Sequence, residues 1–85
     1  MKLVIVDWID SCSSRGWVEK EALQTSIPLP CRSVGWVIKE DKECIVLIAH
    51  LSDVTDDGNF GQGNGDITIP RAVIKQVVEV KVPKK

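Results

Sequence analysis

Apolar residues alternate or run on through three stretches of this chain, and each stretch reads as a β-strand. Leu3 to Ile9 is apolar except for Asp7 and is rich in β-branched side chains. The two-residue period of a strand puts Leu3, Ile5 and Ile9 on one face and Val4, Val6 and Trp8 on the other, so both faces are apolar. Arg32 to Lys39 makes a second strand with Val34, Trp36 and Ile38 on one face, where Trp36 is expected in the core. Gly35, opposite them, leaves room for another backbone or a ligand to approach. Glu40-Asp41-Lys42 is a tight charged turn, and Glu43 to Leu51 returns as a third strand, again apolar on both faces.

The end of the chain repeats the pattern. Ile67 to Ile69 is a short strand, Pro70 breaks it for one turn, and a last strand runs on to Val82. In that last strand Ile74, Val78, Val80 and Val82 are expected to share a face. The intervening segments lack a sustained period. Asp10 to Gly16 is a polar turn cluster, and Trp17 to Gln24 has helix formers enough for a short turn near Glu19–Leu23. Pro28 and Pro30 then hold the chain extended. Ser52 to Asp66, rich in Asp and Gly, reads as a long solvated loop, and Pro83-Lys84-Lys85 as a frayed tail. Five strands in this order, with one tight turn before the last, predict a single all-β domain over residues 1–85. The expected form is a five-stranded, mostly antiparallel, SH3-like small barrel.

Size and charge narrow what such a domain does. With 85 residues it buries a modest fraction of its surface, so its stability needs dense packing or a partner. The net charge of -1 gives no field to draw the chain onto nucleic acid or an anionic membrane. No apolar run approaches the roughly 20 residues that span a bilayer. Cys12, Cys31 and Cys44 cannot all pair within one chain, no secretory segment precedes the first strand, and a reducing cytoplasm is the expected setting.

Candidate chemistry is sparse. Cys12, Cys31, Cys44 and His50 lack the close ligand pairs of a zinc site. His50 with Ser11, Ser13 or Ser14 lacks a nucleophile elbow. Gly61-Gln62-Gly63-Asn64-Gly65 lacks the third glycine of a dinucleotide loop. No metal, cofactor or catalytic residue is therefore expected, and the chain reads as a non-enzyme. A ligand-binding site would draw on Trp8 and Trp17, which flank the polar turn holding Asp10, Ser11 and Arg15. An indole beside a guanidinium can stack a base and hold its phosphate. Arg32 and Arg71, like Arg15, lie at element boundaries where guanidiniums could converge on one anion, and His50 lies near a strand end. Apolar residues on both faces of two strands exceed what one small barrel can enclose. The surplus predicts cover by the long loops or by another copy, hence a homo-oligomer.

Trp8-Ile9-Asp10-Ser11, Gly16-Trp17, Ser33-Val34-Gly35-Trp36-Val37 and Ile67-Thr68-Ile69-Pro70 resemble a group of small uncharacterised proteins from tailed-bacteriophage genomes, over roughly residues 3 to 80. That resemblance implies a phage accessory protein acting in the host cytoplasm, outside the virion, by inhibiting a host or defence protein. The alternatives are a homo-oligomeric binder that sequesters a signalling nucleotide, and a small barrel that binds nucleic acid, against which the charge argues. The resemblance transfers no site residues.

Overall fold

Five strands form in the predicted order. In the computed structural model, which describes residues 1–83, they are β1 (Leu3–Asp10), β2 (Leu29–Glu40), β3 (Cys44–Leu51), β4 (Gly63–Pro70) and β5 (Ile74–Val80). Lys84 and Lys85 of the expected tail lie outside the described residues. A five-residue helix α1 (Lys20–Gln24) lies between β1 and β2, and a single 3₁₀ turn, Arg71–Val73, follows Pro70. All pairings are antiparallel, in one sheet of order β4-β3-β2-β1-β5. The all-β class and the single turn before the last strand therefore match expectation. Closure does not. β4 and β5 are both edges of the sheet and share no ladder, so the sheet curls without closing into a barrel.

The core occupies the inner face of this curl. Val4, Val6, Ile45, Leu47 and Ile69 are buried there, with Trp8, Val37, Ile67, Val73 and Ile74 packed against them. β2 contributes Val37 rather than Trp36, because Gly35 and Val37 share the face of their cross-strand partners Val4 and Leu47. A Cβ on Gly35 would sit 3.0 Å from the carbonyl oxygen of Ile48 and 3.1 Å from Leu47 Cβ, so the absent side chain admits the backbone of β3. Trp36, expected in the core, stands instead on the outer face beside Leu3 and Ile48.

Two further departures have local causes. The β1–β5 register slips between Asp7 and Trp8, so Gln76 pairs with Asp7 but Ile74 with Trp8. This bulge at Lys75 turns Ile74 onto the core face and separates it from Val78 and Val80, with which it was expected to share a face. Residues 63–66, read as the end of a loop, are the first residues of β4 and pair with β3 from Leu51 to Ile48.

The molecule is long. Its radius of gyration is 16.9 Å, against about 12 Å for a compact domain of this length, and its extents are 55 × 25 × 23 Å. Residues 11–28 form an arm in which only Val18 is even partly buried. The Cys12 thiol donates to the Ile27 carbonyl (3.1 Å), joining the two limbs of the arm. Pro30 opposes Ile9 in the part of β2 that has β1 as its only sheet neighbour, where a missing N–H is tolerated.

Candidate binding surfaces

Trp8 and Arg32 come together. Antiparallel pairing places Asp7 opposite Arg32 and Trp8 opposite Cys31, and these residues with Ile9, Pro30 and Lys75 line a cleft of about 330 Å³. The Trp8 indole N–H donates to Ser33 Oγ (3.0 Å), which orients the ring along the wall. The Arg32 guanidinium is already engaged. Its Nε donates to Asp7 Oδ1 (2.6 Å) and Nη2 to Oδ2 (3.1 Å), a two-pronged pairing that holds the Asp7 carboxyl below the usual carboxylate range.

Arg71 has different company. Its Nε donates to the Asp41 carbonyl (2.9 Å), its backbone N–H to the Glu43 carbonyl (2.8 Å), and its guanidinium lies 3.6 Å from Glu40. Lys2 also reaches Glu40 (2.9 Å), and this hydrogen bond is the main reason the Glu40 carboxyl is pulled below its ordinary range. Asp41 is pulled down too, chiefly by the backbone N–H groups of Cys44 and Glu43, which fasten the β2–β3 turn. Arg71 thus anchors the 3₁₀ turn to that hairpin. Arg15, Trp17 and Ser11 lie on the arm, with Asp10 at its root, where the Asp10 carboxylate accepts from the Ser11 N–H (2.8 Å). The three arginines have separate surroundings. His50 stands opposite Asn64 and lines a shallow cleft with Ser52 and Gln62, on a different strand from the arm that carries Ser11, Ser13 and Ser14.

A larger cleft, about 460 Å³, opens on the outer face and was missed from sequence. Met1, Trp36, Leu51, Val54 and Val82 form its apolar wall, and Thr55 to Gly58 form its rim. The loop 52–62 shapes that rim through its own hydrogen bonds. Ser52 and Gln62 close its neck (2.9 Å), while Thr55 accepts from the Gly58 N–H (3.0 Å) and its hydroxyl donates to Asp57. The signal that would have found the cleft is Gly35, whose close approach to β3 sends its neighbour Trp36 outward.

The three cysteines are free thiols, and among the described residues no group of His, Cys, Asp and Glu is placed to hold a metal. Among the same residues no helix is long and apolar enough to cross a membrane. Comparison with known protein families, characterised proteins and solved structures found no match to the chain.

Proposed function

We propose that this chain is a non-enzymatic binding protein that engages another protein through its 11–28 arm. One observation carries the reading: the arm presents Trp17, Leu23 and Ile27 to solvent, with Leu29 exposed where β2 begins, around a helix with no buried residue. Helices this short are marginal in water without a packed face. Here the Thr25 hydroxyl donates to the Glu21 and Ala22 carbonyls and that of Ser26 to Ala22, fastening the helix end but giving α1 nothing apolar to rest on. Exposed indole and aliphatic side chains on a protruding segment are the anchors that protein interfaces bury. The resemblance to phage proteins makes the partner a host or defence protein of the bacterial cytoplasm.

The nucleotide alternative fares less well at the Trp8 cleft, because Asp7 already satisfies Arg32 there and would repel a phosphate. A photo-crosslinking residue at position 17, in protein expressed in a bacterial host, tests the arm. A discrete adduct with a different protein, lost on Leu23→Asp, is the expected result. Adducts only with the chain itself, or none, would refute the reading.

A further inference from the structure

We infer that the outer face of the sheet is a dimer interface, covered by the same face of a second copy. This inference is independent of the arm's role. Cross-strand pairing sets Val80, Leu3, Trp36 and Ile48 in one row and Val78, Ile5 and Val34 in the next. An antiparallel sheet with one wet face carries polar residues there. This face turns polar toward its margins, with Gln76, Asp7 and Arg32 at the end of the rows, Asp66 beside Ile48, and His50 with its partner Asn64 next along β3 and β4. The cleft lined by Met1, Trp36, Leu51, Val54 and Val82 continues the rows past Leu3 and Val80, and its open side lacks a wall.

Area and charge both select a second copy. The chain exposes 7033 Å², whereas a compact monomer of 9.4 kDa exposes about 5,000 Å². The surplus of roughly 2,000 Å² is shared between the exposed arm and the outer face, where Val34 and Val78, with Met1 and Val82 at the cleft, are exposed, and a stable interface takes ~800 Å² per partner. Of the ionic groups near the patch, Arg32 is neutralised by Asp7 and Lys2 by Glu40, while Asp66 and the cleft-rim Asp56 and Asp57 have no ion-pair partner among the described residues, so the patch is neutral at its centre and acidic only along one margin. A two-fold interface requires a surface complementary to itself, and a β-branched sheet face whose charges lie at its margins meets that requirement by face-to-face packing at about 10 Å. The second copy then supplies the missing wall of the Trp36 cleft.

Sedimentation equilibrium of the full chain tests this. The wild type is expected to have the mass of two chains at micromolar concentration. Val34→Lys and Val78→Lys should each weaken association on the order of a hundredfold, because each buries an unpaired charge in the interface. Both side chains are exposed in the single chain, at 57% and 41%, so circular dichroism should show the fold retained. Should either lysine variant fail to fold, Val34→Thr keeps the branched shape and should still weaken association measurably. Trp17→Ala should dimerise like wild type. A single-chain mass for the wild type at every concentration would overturn the inference. So would folded lysine variants that dimerise normally, or a dimer lost with Trp17 and kept without Val34.

Discussion

The two faces of β1 are built from the same kind of residue and meet different fates. Val4 and Val6 are sealed beneath Ile45, Leu47 and Ile69, while Leu3 and Ile5 look outward with Val34 and Val78 around them. Hydrophobicity alone does not say which face a chain folds around. What decides it is which face the sheet wraps around, and Gly35 lies on that face, where its missing side chain lets β3 come close. The outer face is then apolar surface largely without cover, although Ile48 is buried there beside Trp36, and the inner face holds the main core.

Substitutions should separate the two faces by size of effect. Leu47→Ala, on the inner face, removes a side chain that is 1% exposed and should cost about 2–5 kcal/mol in urea unfolding. Val34→Ala, measured where the chain is dilute, should cost no more than about 1 kcal/mol. Equal costs would break the distinction between the faces. Trp8→Phe keeps the ring in the cleft wall but removes the donor to Ser33, and should cost about 1 kcal/mol by the same measurement.

The smallest effect concerns the polar margin. Asp7, Glu40, Asp41 and Asp57 all have carboxyls depressed below their ordinary values, Asp7 by its hydrogen bond from Arg32. Their contribution is complete above the unfolded carboxylate range and disappears as pH falls through the lower folded values. Melting temperature should therefore hold steady from about pH 8 to 5 and decline below about pH 4. Asp7→Asn should make that decline slightly shallower. A melting temperature that rises on acidification would contradict the assigned pairings.

Much of the fold was legible because β-branched alternation marks strands directly, and Pro70 marks the 3₁₀ turn by forbidding a continued ladder. The start of β4 was hidden because Gly63-Asn64-Gly65-Asp66 has no strand propensity and joins β3 through backbone pairing alone. Ile74 was misplaced because a one-residue bulge inverts parity without leaving a trace in composition. The site was less legible than the fold. Trp8 and Arg32 do share a cleft, but Arg71 serves the hairpin, and Trp36 was assigned to the wrong face because period-two counting finds faces without saying which is inside.

The pairing of Leu3 with Val80 has a consequence for how the protein is made. β1 is fully paired only after β5 has been made, since Leu3 waits for Val80. Until then β1 carries an apolar, unpaired edge, and contacts of such sequence separation form slowly. Chains terminated before Ile74 should therefore accumulate as aggregates or be degraded, even though they carry four of the five strands.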